Sequence, residues 1–227
     1  MFFSLTLGKF YGIDSLIELL IVIVAGIISL YSRRIYRIVK EENYRYFSWA
    51  FLSIAISFLF KILSNFTIMN RMVIEKANFI YIIIAQSKYM PVIDFFTFTF
   101  YKIFLLVGFL LMFLILTKSD KKENVFLFVY LSIIAILFSI YFNFVFFITI
   151  LLILILLTVH FYHNYKNHRT INSFLVYLAF IMVSISHMLF ILADINSLFY
   201  IIGEGLLLVG FLCLLINHIK IKLYYKT

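Results

Sequence analysis

Residues 198–217 read LFYIIGEGLLLVGFLCLLIN, and the only charged side chain in this run is that of Glu204, between Gly203 and Gly205. A helix of about 20 residues is about 30 Å long, which matches the hydrocarbon core of a bilayer. Six further stretches of the chain are similarly apolar. The sequence therefore predicts an all-α integral membrane protein, a seven-transmembrane-helix bundle that ends with this helix. The predicted helices cover 13–32, 46–64, 92–117, 125–141, 144–161, 173–193 and 198–217.

The composition favours a membrane protein with no additional domain. Hydrophobic residues make up 65% of the 227 residues, and the mean hydropathy is +1.12, whereas soluble domains are about half apolar. Seven crossings with their loops use this length, so we expect 1–227 to be a single transmembrane domain. The first residues lack the basic start and cleavage site of a signal peptide, so helix 1 is expected to be retained. The single cysteine, Cys213, excludes an intrachain disulfide.

The distribution of basic residues predicts the orientation. With seven crossings, thirteen Lys and Arg residues lie on one side, in 33–45, 118–124, 164–172 and the C-terminal tail, and four lie on the other. Because Lys and Arg are enriched in cytoplasmic loops, the N-terminus is predicted outside and the C-terminus in the cytoplasm. The net charge of +9 is then explained by topology and by contact with anionic lipids, with no nucleic acid as partner. We expect a multi-pass protein of a prokaryotic cell membrane.

The segment between helices 2 and 3 contains a short apolar core at 77–85, flanked by charged residues. This core is too short to span a bilayer. An eighth crossing would also move the basic loop 118–124 to the outside. We therefore expect an extra external or interfacial helix at about 72–86. The alternative is an outward extension of helices 2 and 3.

Polar residues inside the predicted helices are the candidates for a site. An ionisable group at the bilayer centre costs about 2.5–3.5 kcal/mol on insertion scales, so such groups usually face the bundle interior or a wet cavity. At 1.5 Å of rise per residue, these groups lie roughly 5–15 Å below the outer helix ends. All fall in the outer half, which indicates an outward-facing polar cavity. The candidate ligand- or ion-binding residues are Glu204, Lys102, His187, Ser184, Asp94, Glu18 and Lys61.

Lys102 and Glu204 are predicted to be the deepest pair in this cavity. The lysine stem can bring its ammonium outward to the depth of the carboxylate. We therefore expect helices 3 and 7 to be neighbours and these two side chains to approach each other. The glycines that flank the acid would open space beside it. The alternatives are a structural ion pair that fixes helix register and, for the shallower candidates, interaction with the outer headgroups.

The histidines can be explained by structural or interfacial roles as well as by ligand or metal binding. His187 follows Ser184 by three residues, so both lie on one helix face, and a buried histidine bonded to a neighbour is the alternative to a ligand-binding one. His160 and His163 lie near the cytoplasmic end of helix 5, where an interfacial role is favoured because no acid or cysteine joins them in sequence. No catalytic residue, metal site or cofactor is expected, since no nucleophile–base pair or metal triad is evident.

The basic loop after helix 1, at 33–45, the uniformly apolar helices and the glycine-containing helix 7 resemble the seven-helix N-terminal sensor modules of microbial histidine kinases. The resemblance spans the chain and rests on topology, and the chain ends where a kinase domain would begin. It implies no role for any particular residue.

The outer polar cluster, without an effector domain, leads to a functional hypothesis. We expect a non-enzymatic sensor or receptor that binds a small ligand, ion or lipid from outside. It would contact membrane lipids, and another membrane protein or a cytoplasmic partner at its basic face. The alternatives are a small transporter or channel, which would need an exit path through the apolar inner half, and an accessory subunit of a larger membrane complex.

Overall fold

The computed structural model describes residues 12–77, 82–117, 122–139, 143–193 and 195–224. These residues form seven α-helices. Among the residues that the structure describes, spans in six of these helices are long and apolar enough to cross a membrane. The protein is therefore an all-α, polytopic membrane protein. The helices are α1 (Ile13–Val39), α2 (Glu42–Ala77), α3 (Ile82–Thr117), α4 (Lys122–Ser139), α5 (Asn143–His168), α6 (Ile171–Leu192) and α7 (Ser197–Tyr224).

Several helices continue beyond the apolar runs from which they were predicted. α1 extends through its arginines to Val39, and the backbone N–H of Lys40, in the left-handed region at φ 57°, donates to the Tyr36 carbonyl. α5 and α7 likewise continue into polar and basic sequence. Hydropathy indicates where a helix can contact lipid, whereas helical hydrogen bonds form regardless of side-chain polarity. For α1, α2, α5 and α7 the predicted start is closer to the observed one than the predicted end is, whereas α3 ends at the predicted residue and starts ten residues earlier than predicted.

The expected separate helix at about 72–86 is wrong. Residues 72–77 belong to α2 and residues 82–86 belong to α3, as in the alternative of two extended helices, while 78–81 lie outside the described residues. Pro91 lies within α3 rather than just before it. A proline removes one helical hydrogen bond, and a helix in a bundle can tolerate this loss.

Six helices form a closed ring. Each of α1, α2, α3, α5, α6 and α7 packs against the next in that order, and α7 packs against α1. α4 lies outside the ring against α3 and α5. The expectation that helices 3 and 7 are neighbours is wrong, because no contact joins α3 to α7 within the described ranges. The acid of α7 therefore faces a different set of helices from the predicted one.

Side-chain contacts show how the helices alternate in direction. Tyr101 lies about midway along α3, and its ring meets the ring of Phe146, near the start of α5, with centroids 5.8 Å apart. The end of α4 lies at the same level, since Lys102 Nζ donates to the Ser139 carbonyl at 3.0 Å. α4 thus returns the chain between α3 and α5. We call this end of the bundle, where α1, α5 and α7 begin and beyond which α2 and α3 extend, the Glu204 end.

The opposite end, where Arg37 and Lys166 lie in the last turns of α1 and α5, has its own polar contacts. Ser29 and Ser48 exchange hydrogen bonds between α1 and α2, each hydroxyl donating to the other residue's carbonyl at 2.8 and 2.9 Å. The Tyr31 and His218 rings meet edge to face, 5.3 Å apart, between α1 and α7. We call this the Ser29 end. It lies about 16 Å from Glu18 along α1, at 1.5 Å per residue.

Candidate functional site

An ion-pair cluster lies inside the Glu204 end of the bundle. Lys61 on α2 places its ammonium 2.5 Å from Oε1 of Glu204 on α7 and 2.9 Å from Oε1 of Glu18 on α1. Both glutamates are 0% exposed and Lys61 is 8% exposed. We call these three residues the triad. It joins three helices through one ammonium, with almost no access from outside.

Four aromatic rings surround the Lys61 ammonium. The distances from Nζ to the ring centroids are 5.8 Å for Phe58, 5.7 Å for Tyr101, and 5.5 Å for both Phe190 and Tyr200. The rings come from α2, α3, α6 and α7, so they enclose the ammonium from several sides. Ring faces carry negative potential and attract cations within about 6 Å. The environment of Lys61 is therefore specialised for an ammonium group.

A chain of hydrogen bonds extends the triad toward the helix ends. Asn65 Nδ2, one turn beyond Lys61, donates to Glu18 Oε2 at 2.9 Å and lies 3.5 Å from Asp14 Oδ2. Asp14 Oδ1 in turn accepts from the backbone N–H groups of Gly12 and Ser15. Glycine suits position 12, where φ is 108°. The start of α1 is thus anchored to the same cluster.

Asp94 joins the polar region from α3. Its Oδ1 accepts a 2.5 Å hydrogen bond from the Ser64 hydroxyl of α2. Ser64 is three residues after Lys61, so both lie on the same side of α2. Carboxylates from α1, α3 and α7 therefore converge on one face of α2.

Four buried polar atoms in this region have no hydrogen-bond partner in the structure. Glu204 Oε1 contacts Lys61, whereas Glu204 Oε2 has no hydrogen-bond partner. Glu18 Oε1 forms an ion pair with Lys61, but the geometry of this contact is not that of a hydrogen bond. Ser186 Oγ and His187 Nε2 on α6 are the other two. His187 Nδ1 lies 2.9 Å from the Val183 carbonyl, so Nδ1 carries the proton and Nε2 is the free acceptor. Such atoms are where a proton, water or ligand can bind.

The predicted pairing of Lys102 with Glu204 is wrong. Lys102 Nζ donates to the carbonyl and the hydroxyl of Ser139 at 3.0 and 3.3 Å, and it lies 4.4 Å from the centroid of the Phe98 ring. The partner of Glu204 is Lys61. The lysine next to Tyr101 points toward α4, because adjacent helical residues differ by about 100° around the axis.

The remaining candidates divide between the cluster and the helix contacts around it. Glu18, Lys61 and Glu204 form the triad, and Asp94 lies at its edge. His187 is buried one turn from Phe190, with ring centroids 5.6 Å apart, so it lies beside the aromatic enclosure. Ser184 donates to the Phe180 carbonyl and contacts the hydroxyl of Thr158 at 3.1 Å, which places it at the α5–α6 contact instead.

Sequence reasoning missed Asn65, Tyr101, Phe190, Tyr200 and Ser186. A usable signal existed for two of them. Asn65 follows Lys61 by four residues and Tyr200 precedes Glu204 by four, and this spacing places both on the face of the charged residue. The other three come from helices whose rotation the sequence does not define.

The two glycines beside Glu204 have different roles. A Cβ at Gly203 would lie 2.7 Å from the Phe190 ring, so this glycine allows α7 to pack closely on α6. A Cβ at Gly205 would meet nothing within 4 Å. The expectation that both glycines open space beside the acid is therefore wrong for Gly203.

Below the triad the interior of α7 becomes apolar. Leu207, Phe211 and Leu214 are all buried, and the next buried polar residue of α7 is Asn217, about 20 Å from Glu204 at 1.5 Å per residue. The polar region at the Glu204 end is therefore separated from the Ser29 end along this helix.

No family model, curated protein or solved structure matches the chain.

Proposed function

We propose that this protein is a non-enzymatic, receptor-like membrane module that binds a small cationic ligand at the Glu204 end. The observation that carries the proposal is the excess of acid there. Glu18 and Glu204 contact the single ammonium of Lys61, and the carboxylates of Asp94 and Asp14 accept from Ser64 and Asn65, about one turn further along α2. Together with the aromatic rings, this set suits an ammonium or a small cation far better than an anion.

The basic residues support an outward-facing binding end. In the predicted topology, thirteen Lys and Arg residues lie in one set of loops and four in the other, and this bias supports a Glu204 end that faces outside. At the Ser29 end, a groove of about 500 Å³ is lined by Leu30, Arg33, Arg34 and Arg37. Arginine next to an exposed leucine suits an anionic lipid headgroup and its acyl chain.

The apolar interior favours a receptor over a carrier. A carrier must offer its cargo a path to both sides, and α7 provides Leu207, Phe211 and Leu214 between the triad and Asn217. A receptor needs only a change in the packing of helices that reach the other side. The Lys61–Glu204 contact links α2 to α7, so a ligand that competes for Glu204 would alter this link.

The test is a binding screen on the purified protein in lipid nanodiscs. Thermal unfolding is measured with sodium, potassium, calcium, choline and methylammonium salts at matched ionic strength. A ligand present at about 100 times its Kd stabilises the folded state by about 2.7 kcal/mol. We expect at least one cation to stabilise the wild type and to lose this effect in Glu204→Gln.

The matched control is Glu42→Gln. Glu42 pairs with Arg45 at 2.7 Å on the surface near the Ser29 end, so its removal also deletes one acid but leaves the triad intact. Equal stabilisation of wild type and Glu204→Gln by every cation in the panel would contradict the proposal. Uptake of the stabilising cation into proteoliposomes would instead identify a carrier.

A further inference from the structure

The charges of the triad do not balance. Two carboxylates, Glu18 and Glu204, share one ammonium, Lys61, and both carboxylates are 0% exposed. A net negative charge removed from water costs several kcal/mol unless it is paired or neutralised. A group in this position usually changes its protonation state instead.

Among the side chains that the structure describes, the other charged groups on the surrounding helices do not supply the missing positive charge. On α1, Asp14 is a further acid. On α3, Asp94 is also acidic, and the Lys102 ammonium is directed to Ser139 and Phe98. On α2, the nearest side chain beyond Lys61 is the neutral Asn65.

The helices α6 and α7 add no cation either. His187 donates from Nδ1 to the Val183 carbonyl, and its Nε2 is buried without a partner. An imidazolium would leave a buried N–H unbonded there, which is unfavourable. The remaining titratable groups near Lys61 are the phenols of Tyr101 and Tyr200, which carry no positive charge in any state.

We propose that Glu18 and Glu204 hold one proton between them, so that the triad is a proton-binding site of zero net charge. The proton comes from hydronium in the solvent: one O–H bond of hydronium breaks to leave water, and one O–H bond forms on a carboxylate oxygen, which converts one –COO⁻ to –COOH. Glu204 Oε2, buried and without a hydrogen-bond partner, is an available oxygen. Because the two acids contact the same ammonium, the proton belongs to the pair and not to one residue.

This inference goes beyond the proposed cationic ligand and does not depend on it. The proton count follows from Glu18, Lys61 and Glu204 alone. If no cation binds in the screen, the number of protons expected on the triad stays the same. If the infrared measurement finds a different number of protons, a cationic ligand is not thereby excluded.

Infrared spectroscopy of the protein in nanodiscs tests the count, because a protonated carboxyl group has a C=O stretch distinct from that of a carboxylate. Near neutral pH we expect one buried carboxyl signal in the wild type. Glu18→Gln and Glu204→Gln each leave one acid and one base, so each should lose the signal. Lys61→Met leaves two acids and no base, so the signal should be about twice that of the wild type.

Glu42→Gln is the control, because this surface acid is paired at the Ser29 end and its removal should leave the signal unchanged. If Lys61→Met does not fold, Glu18→Gln and Glu204→Gln still test whether the two acids share a proton. No carboxyl signal in the wild type, or a signal that persists in both Glu18→Gln and Glu204→Gln, would overturn the proposal. Neutralisation by sodium in place of a proton would produce the first of these results.

Discussion

The ammonium of Lys61 lies 2.5 Å from Oε1 of Glu204, and this contact joins α2 to α7 although α1 lies between them in the ring. Glu18 of α1 contacts the same ammonium. One lysine therefore holds together three consecutive helices of the ring at the Glu204 end.

Removing the shared ammonium should cost more than removing either acid. Lys61→Met strands two buried carboxylates, and loss of one partner of a buried pair typically costs about 3–5 kcal/mol. Glu204→Gln leaves the Glu18–Lys61 pair balanced and should lower the free energy of unfolding by less. The triple variant Glu18→Gln, Lys61→Met, Glu204→Gln should also be more stable than Lys61→Met alone. Reversible unfolding in bicelles measures all of these values.

Lys102→Met is the matched control for this series, since it removes the other buried lysine of the Glu204 end. Its effect should add to that of Glu204→Gln, because Lys102 bonds Ser139. Non-additivity between Lys102 and Glu204, together with additivity between Lys61 and Glu204, would contradict the observed pairing.

The glycines should separate into two groups. A Cβ at Gly108 would lie 2.5 Å from Ile54 Cγ1 and 3.0 Å from the Ala50 carbonyl, and one at Gly210 would lie 3.0 Å from the Ala179 carbonyl. Alanine at either position should destabilise the protein by about 1–3 kcal/mol through overpacking. Gly26→Ala and Gly205→Ala, with nothing within 4 Å, should be neutral or stabilising by up to about 1 kcal/mol. A loss of stability in the second group equal to that in the first would contradict this packing.

The reciprocal serine contact should contribute measurably to the α1–α2 interface. Ser29→Ala and Ser48→Ala each remove one of the two hydroxyl–carbonyl bonds, and such interhelical bonds contribute about 0.6–1.7 kcal/mol. Thr149→Val is the control, because its hydroxyl bonds the Val145 carbonyl of its own helix. If the threonine variant loses as much stability as the serine variants, the interhelical bonds are not the cause.

Topology can be tested by cysteine labelling in a Cys213→Ser background, which removes the only native thiol. A membrane-impermeant maleimide should label Asn196→Cys on intact cells. Glu41→Cys, Ser119→Cys and Asn167→Cys should react only after permeabilisation, because the predicted topology, seven crossings with the N-terminus outside, places these loops inside. Without a crossing by α4, the helices α5 to α7 would be inverted, so labelling of Asn167→Cys but not of Asn196→Cys on intact cells would contradict a crossing by α4.

The positions of the helices could largely be predicted from the sequence, because each apolar run must be long enough for a bilayer. The prediction of a separate helix at about 72–86 is wrong because the interrupted apolar pattern there suggests an additional element between helices 2 and 3. Instead, α2 extends through polar residues to Ala77, and α3 begins at Ile82. Hydropathy does not reveal the end of a helix whose backbone bonds continue outside the lipid.

The site was predicted in part for a similar reason. Glu204 is conspicuous as the only acid in its apolar run, but its partner depends on the order of helices around the ring. Depth alone suggested Lys102, and Lys61 could equally have extended to the headgroups. The ring order, with α1 between α2 and α7, determines which lysine faces the acid.

The contact between α1 and α7 also has a consequence in time. A ribosome delivers the first two helices early, and Glu18 and Lys61 can meet as a balanced pair while the rest of the chain is still being synthesised. Glu204 arrives only with α7, which closes the ring and brings a second carboxylate to an ammonium that already contacts Glu18. Completion of the nascent bundle therefore coincides with assembly of its most demanding electrostatic centre.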